Sequence, residues 1–130
     1  MPTIELTGKN FDAVAAKPGI VLVDFWAGWC APCRAFAPVF EKASNEHPDL
    51  VFGKVDTEAS PDLAGAFQIR SIPTLMVIKD GVVIYSQAGA LPAMALEDLI
   101  AQAKKLDMDE VRRKIAAAES GAKGSKAAVA

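Results

Sequence analysis

The chain has 130 residues, 52% of them hydrophobic, which suits one compact domain with a real hydrophobic core. Its formal net charge is -2 and its charges are interleaved, so the sequence offers no basic field to bind nucleic acid or an anionic membrane surface. The first residues lack the pattern of a signal peptide, and no apolar run is long enough to span a bilayer. We therefore expect a cytoplasmic protein, in a compartment where thiols are normally kept reduced.

The first half of the chain alternates between the patterns of strands and helices. Residues 3–6 are predicted as a short strand, and Asn10 is placed to cap a helix that stops at Pro18. Residues 20–27 form a nearly unbroken apolar run rich in β-branched side chains, which indicates a strand buried on both faces. A helix with Pro38 inside it should follow, because apolar residues recur at helical spacing: Phe36, Val39, Phe40 and Ala43.

The second half predicts three more strands and two more helices. Residues 50–56 form a strand, a short helix begins at Pro61, and a longer helix begins at Pro92. Between the helices, Asp80-Gly81 separates two strand patterns, which is the strongest short-range signal for an antiparallel hairpin. The order βαβαβαββα predicts an α/β domain in which helical crossovers join parallel strands and the hairpin adds an antiparallel edge.

Residues 107–130 form an extension after the domain predicted over residues 1–106. The extension begins with acidic residues that resemble a capping box, followed by an apolar stripe, so a helix is predicted over about residues 108–119. From Ser120 onward the chain has almost nothing to bury, and we predict a disordered tail. The apolar stripe could dock on the domain or on a partner protein, and the sequence favours neither: Met108, Val111 and Ile115.

The two cysteines of the chain, Cys30 and Cys33, are separated by two residues between the buried strand and the next helix. A disulfide across so short a loop would stabilise the fold little. A structural zinc site needs more ligands than this pair and the single histidine, His47, supply in one chain. Haem attachment needs histidine where Arg34 stands. Redox chemistry is the interpretation that remains for a single chain.

The position of the pair predicts unequal roles for its two members. Cys30 falls at the start of a helix, where unpaired backbone N–H groups and the helix dipole stabilise a thiolate, so we expect a lowered pKa. Cys33 lies about one turn further on and more deeply buried, so it should attack the mixed disulfide that forms at Cys30. Pro32 suits the first helical turn, and Arg34 is most simply a solvated residue of that turn.

Four segments together resemble the thioredoxin family from about residue 3 to residue 106: VDFWAGWCAPC, KVD, SIPT and GAL. The resemblance implies the thioredoxin fold, with a mixed five-stranded sheet flanked by helices. It also implies that protein disulfides are reduced by dithiol–disulfide exchange, with Cys30–Cys33 as the redox disulfide. The implied electron donor is a flavin-containing thioredoxin reductase that uses NADPH, while the chain itself needs no bound cofactor or metal. We expect a monomer.

Asp24 interrupts the apolar strand, and burying a carboxylate is expensive, so we expect its pKa to be raised. It should lie beneath the cysteines and exchange a proton with Cys33, directly or through a water. The alternative is a partly exposed aspartate at the end of a strand. The resemblance adds a lysine on the neighbouring strand beside this acid, and Lys54 matches it.

The family also carries a cis proline opposite the reactive cysteine, so the resemblance predicts that Pro73 is cis. The backbone of Ile72 would then be free to pair with an extended substrate segment. A small apolar surface for varied substrates would surround Cys30: Trp29, Ala31, Pro32, Ile72, Ala88, Gly89 and Ala90. His47 should simply end a helix at the surface.

One residue departs from the family pattern, since Ala31 stands where glycine is usual, and this leaves the reduction potential open. Two functions of other classes also remain open. The chain could be a binding module or co-chaperone whose extension docks a partner. Alternatively, two chains could share a metal ion, each contributing two thiolates. An oxidase or isomerase is disfavoured because no signal peptide is visible.

Overall fold

The structure is a computed structural model that describes residues 3–129, with side chains over residues 3–120. Strands and helices follow one another in the predicted order, and a further helix comes at the end of the chain. Their bounds are β1 (Thr3–Glu5), α1 (Phe11–Ala15), β2 (Ile20–Trp26), α2 (Ala31–Glu46), β3 (Val51–Asp56), α3 (Pro61–Ala66), β4 (Thr74–Lys79), β5 (Val82–Ala88), α4 (Ala93–Lys105) and α5 (Met108–Val129). Within the described residues, none of these helices is long and apolar enough to cross a membrane.

The five strands form one mixed sheet in the order β1-β3-β2-β4-β5. Strands β1, β3 and β2 are parallel, whereas β4 runs antiparallel to both of its neighbours. The mixed sheet is confirmed, but the antiparallel strand lies inside it rather than at its edge. The connection over residues 57–73 carries α3 but does not return the chain to the other end of the sheet, since Thr74 at the start of β4 pairs with Phe25 near the end of β2. Strand β4 therefore starts at the end where β3 finishes.

Strand β2 is buried on both faces, as its unbroken apolar pattern predicted. Every residue from Ile20 to Phe25 is buried. On one face, β2 packs with α1 and α3, through the cluster that contains Val21, Val23 and Phe25. On the other face, Leu22 packs with Phe36 and with the other apolar residues of α2 and α4. The end of β2 is thus held between two packed layers, and this fixes the position of the loop that carries the cysteines.

The β4–β5 hairpin turns at Asp80 and Gly81, confirming the predicted signal. Both residues have positive φ angles, 50° and 79°, which two-residue hairpin turns require and which Asp and Gly tolerate. The Asp80 side chain also accepts a hydrogen bond of 2.7 Å from the backbone N–H of Gly19. This bond ties the hairpin to the start of β2.

Two features of the helices differ from the sequence prediction. Asn10 precedes α1 as expected, but its side chain accepts a hydrogen bond from the backbone N–H of Thr7 instead of capping the helix. Helix α5 continues past residue 119, so the structure differs from the disordered tail predicted from Ser120. Alanine and lysine are common in this segment and favour helix.

The predicted apolar stripe of α5 touches the rest of the molecule only at its beginning. Met108 is buried, with 7% of its surface exposed, and Val111 is half-buried. Ile115 is already exposed, with 38% accessible. The division of the chain into a domain over residues 1–106 and an extension over residues 107–130 stays a prediction.

Candidate active site

Cys30 and Cys33 form a disulfide at the junction of β2 and α2. Cys30 is the residue that caps α2, with an extended backbone at φ -89° and ψ 110°, and Pro32 lies in the first turn. The backbone N–H of Cys33 donates a hydrogen bond of 3.2 Å to the Sγ atom of Cys30. When the pair is reduced, the same N–H and the helix dipole favour a thiolate at Cys30.

Both cysteines are nearly inaccessible in the disulfide state, with 4% and 2% of their surfaces exposed. The predicted contrast between an accessible Cys30 and a buried Cys33 is therefore small here. The two bonded sulfur atoms cover one another, and the cysteines also pack with Ala27, Trp26 and Ile72. An incoming thiol or disulfide has to approach through this small apolar cluster.

The peptide bond between Ile72 and Pro73 is cis, which confirms the prediction. The carbonyl oxygen of Ile72 lies 3.6 Å from the Sγ atom of Cys30, so this loop does face the cysteine pair. Gly89 joins the same group, because its backbone N–H donates a hydrogen bond of 2.8 Å to the carbonyl oxygen of Pro73. Its φ of +118° is a conformation that favours glycine.

The other residues of the predicted substrate surface lie at the same end of the sheet. Trp29 is exposed over 68% of its surface, and its indole Nε1–H donates a hydrogen bond to the Glu58 carboxylate. Ala31 and Pro32 are exposed on the first turn of α2. Ala88 and Ala90, on either side of Gly89, are exposed as well. All of these residues are exposed at the end of the sheet where the disulfide lies.

Asp24 is fully buried, so the alternative of a partly exposed aspartate is wrong. Within the described part of the chain, neither of its carboxylate oxygens has a hydrogen-bond partner. Burial raises the pKa of Asp24 from 3.8 to about 7, and the positive charge of Lys54 acts in the opposite direction. Asp24 follows Leu22 by two residues along β2, so both side chains lie on the face of the sheet that α2 covers.

Lys54 is the register partner of Asp24 on β3, as the resemblance implied. Its ammonium nitrogen lies 5.1 Å from the centroid of the Trp26 ring, within the range of a cation–π interaction. Both Lys54 and Trp26 line a cleft of 420 Å³ that also involves β1. The lysine is thus held beside the buried acid by the strand pairing and by the indole ring.

Two polar contacts near the site were missed by sequence reasoning, and a third lies at the opposite end of α2. Besides the Trp29–Glu58 bond, Arg34 donates a hydrogen bond of 2.8 Å to the carbonyl oxygen of Gly28, so it restrains the active-site loop although it is exposed. His47 does end α2, but it is half-buried and lies 2.7 Å from the Glu97 carboxylate of α4. The Trp29–Glu58 bond could have been anticipated only from the pairing of β2 and β3 as parallel neighbours, which brings the loops after these strands together.

Comparison with known proteins agrees with this geometry. The family model described as Thioredoxin matches residues 2–102. The chain is 60% identical over 114 residues to a protein named putative thioredoxin 2 from Streptomyces coelicolor, covering 88% of this chain and 85% of that one. It is 48% identical over 101 residues to thioredoxin C-2 from Corynebacterium nephridii, covering 76% of this chain and 94% of that one.

Two further similarities extend the comparison. Thioredoxin from Bacillus subtilis is 41% identical over 101 residues, which cover 77% of this chain and 96% of that one. Among solved structures, a mutant thioredoxin from Halobacterium salinarum superposes with a TM-score of 0.74 at 33% identity, covering 81% of this chain and 93% of that one.

Proposed function

The chain belongs to the thioredoxin family and is a thiol–disulfide oxidoreductase, and from that premise we propose how its residues divide the reduction of a protein disulfide. The observation that carries the proposal is the Cys30–Cys33 disulfide at the start of α2. The alternative of a binding module whose cysteines are secondary is not favoured, because the pair is joined at the position where helix geometry stabilises a thiolate.

Cys30 is the nucleophile in this proposal. Its thiolate attacks one sulfur of the substrate disulfide, that disulfide breaks, and the other substrate sulfur leaves as a thiolate and takes a proton. The Cys33 thiol then loses its proton and attacks the Sγ atom of Cys30. The second substrate sulfur leaves, and the Cys30–Cys33 disulfide forms. Two electrons have passed from the cysteine pair to the substrate.

Asp24 accepts the proton of Cys33 and returns it when the pair is reduced again, directly or through a water. Its support is its burial on the face of the sheet that α2 covers, together with a pKa raised to about 7. A base is most effective when its pKa lies near the working pH. Lys54 is a positioning residue that acts through Asp24, because its positive charge keeps the carboxylate form accessible.

The substrate docks as an extended segment along the backbone of Ile72. This proposal is supported by the position of the Ile72 carbonyl opposite Cys30 and by the bond that holds Gly89 against Pro73. An apolar rim then contacts varied substrates: Trp29, Ala31, Pro32, Ile72, Pro73 and Gly89. A weakly charged surface of this kind suits many different partners.

The electron donor is a thioredoxin reductase that draws on NADPH, and the reaction takes place in the cytoplasm. The support for both statements is the family membership, since thiol–disulfide exchange leaves the chain oxidised and a reductant must regenerate it. We also propose that the chain acts as a monomer.

Reduction of insulin disulfides in the presence of NADPH and thioredoxin reductase tests the proposal. We expect turnover by the wild-type chain and none by Cys30→Ser. Cys33→Ser should stop after one step and accumulate a covalent mixed disulfide with the substrate. Absence of turnover by the wild-type chain would favour the binding module instead.

The reduction potential of the Cys30–Cys33 pair tests the direction of the reaction. We expect a value nearer about -270 mV than about -120 mV, the values of a reducing and of a strongly oxidising protein of this kind. A value near the upper figure would indicate an oxidase and contradict the proposed reductase. The measured value also answers the question that Ala31, standing where glycine is usual, leaves open for the reduction potential.

A further inference from the structure

A polar depression lies beside the proposed substrate surface, on the side of the sheet that α1 and α3 cover. It has a volume of 220 Å³, and its walls come from the loop between α3 and β4 and from the end of β5. Five of its lining residues are polar, Gln68, Arg70, Ser71, Thr74 and Ser86, and three are apolar, Phe67, Ile69 and Ala88. The depression adjoins the apolar surface around Cys30, and Ala88 belongs to both.

Arg70 is the charged residue of this depression. It is exposed, and within the described residues it forms no salt bridge and no side-chain hydrogen bond. By contrast, the hydroxyl of Thr74 is already committed to the carbonyl oxygen of Ser71. A guanidinium presents several N–H donors in a planar fork, which matches the geometry of a carboxylate.

The depression is continuous with the substrate surface in two places. Arg70 precedes Ile72 by two residues in the loop that faces Cys30. Ala88 is paired with Thr74 across the hairpin and directly precedes Gly89. Because an extended chain advances about 3.3 Å per residue, a substrate segment along Ile72 reaches the depression within a few residues of its reactive cysteine.

We propose that this depression is a substrate subsite that takes an acidic side chain, Asp or Glu, within three residues of the reactive cysteine, with Arg70 as its charge partner. The inference rests on the proposed function of the Cys30–Cys33 pair. The hydroxyl groups of Ser71 and Ser86 are further donors to the carboxylate. Near Trp29 the charge is opposite, because Glu58 lies there, so an acidic residue is favoured on the Arg70 side only.

Reduction of short disulfide peptides by the fully reduced chain tests this subsite. Each peptide carries Asp, Gly or Lys at one, two or three residues from its reactive cysteine, on either side. At one or more of these positions, we expect kcat/KM for the Asp peptide to exceed that for the Lys peptide about two- to fivefold, as for an exposed ion pair. Higher salt should reduce this preference because it screens the charges.

Variants of Arg70 assign the preference to this residue. Arg70→Gln should abolish it and Arg70→Glu should reverse it, while the rate for the Gly peptide stays close to that of the wild-type chain. The matched control is Arg113→Glu, which makes the same change of charge at an exposed position of α5 and should leave the preference intact.

The outcomes separate this proposal from the function on which it rests. Reduction of every peptide at one rate, or a preference that survives Arg70→Glu, overturns the subsite and leaves the disulfide reductase standing. Failure to reduce the Gly peptide overturns the proposed function itself. Loss of the preference in Arg113→Glu would show that net charge, rather than Arg70, is responsible, and would also overturn the subsite.

Discussion

Asp24 and Lys54 are register partners on the neighbouring parallel strands β2 and β3, and only the acid is fully buried. Burial raises the pKa of the carboxyl to about 7, against the opposing effect of the lysine charge. Lys54 is half-buried and keeps its ammonium near the ring of Trp26. The strand pair therefore holds a carboxyl group that changes its charge near neutral pH, on the face covered by the cysteine-bearing helix.

Asp24→Asn should remove a pH dependence of stability. Because the folded carboxyl keeps its proton to about pH 7 and the unfolded one only to about pH 3.8, the folded state binds more protons between these values. The free energy of unfolding of the wild-type chain should thus fall as pH rises through this window, by an amount on the order of 4 kcal/mol. Chemical denaturation from pH 4 to pH 8 measures it.

The asparagine variant should gain stability relative to the wild-type chain as the pH increases, with the difference largest above pH 7. The disulfide is kept oxidised in both proteins, so that thiol ionisation does not contribute. If the free energies of unfolding of the two proteins changed with pH in parallel, the raised pKa of Asp24 would be contradicted.

Lys54→Met should raise the pKa of Asp24 further, because the lysine charge is what lowers it. The methionine keeps the apolar packing on Trp26 while removing the charge. We expect the carboxyl carbon of Asp24, followed by NMR, to titrate at a higher pH than in the wild-type chain. Lys9→Met, at an exposed position, is the control and should leave that titration in place. An unchanged titration in Lys54→Met would remove Lys54 from the site.

Asp24→Asn should also slow the release of the substrate. If Asp24 accepts the Cys33 proton, the rate of mixed-disulfide resolution in the wild-type chain rises with pH through about 7, as the carboxyl ionises. The variant should lack that rise and be slower by about tenfold or more at pH 8, and the two rates should converge near pH 5. Single-turnover fluorescence measures the rate of mixed-disulfide resolution in both proteins. A uniform slowing at every pH would indicate a structural role for Asp24 only.

The parts of the fold that sequence predicted well are those with local signals. The apolar run of β2 and the Asp80-Gly81 turn specify their elements almost without help from the rest of the chain. The direction of β4 was missed because it depends on the path of the whole connection between β3 and β4, which no single residue specifies. The lack of apolar residues after Ser120 predicted a disordered tail, whereas α5 continues to Val129.

The site divides in the same way. The Cys30–Cys33 pair follows from spacing and from its place before a helix, and the burial of Asp24 follows from its apolar neighbours. The bond between Trp29 and Glu58 joins loops 29 residues apart and exists only because β2 and β3 are adjacent. Side-chain contacts between distant loops need the tertiary structure.

Lys79→Met should destabilise the end of α4. The ammonium group of Lys79 donates hydrogen bonds to the carbonyl oxygens of Ala103, Lys104 and Leu106, at 2.7, 3.2 and 2.9 Å. These carbonyl groups lie at the end of a helix, where a cation is favoured. We expect a loss of about 1–3 kcal/mol in the free energy of unfolding.

The control for Lys79 is Lys105→Met, an exposed substitution in the last turn of the same helix, which should change stability by less than about 0.5 kcal/mol. Hydrogen exchange adds a local measurement, since amides at the start of α5 should exchange faster in Lys79→Met. Equal stability of the two variants would mean that the three carbonyl groups are satisfied equally well by water.

Gly53→Ala should destabilise the protein because the backbone of β3 lies directly beneath a buried leucine. A Cβ atom at residue 53 would come 2.8 Å from the Cγ atom of Leu6, whose exposed fraction is 1%. Forcing this contact should cost about 1–3 kcal/mol. Shortening the leucine relieves it, so adding Gly53→Ala to Leu6→Ala should cost less than in the wild-type background. Gly65→Ala in α3 should instead be neutral or stabilising, because a Cβ atom there would have no neighbour within 4 Å apart from the adjacent residues and the backbone of its own helix. Strictly additive effects of the two substitutions would show that Leu6 is not what requires glycine at this position.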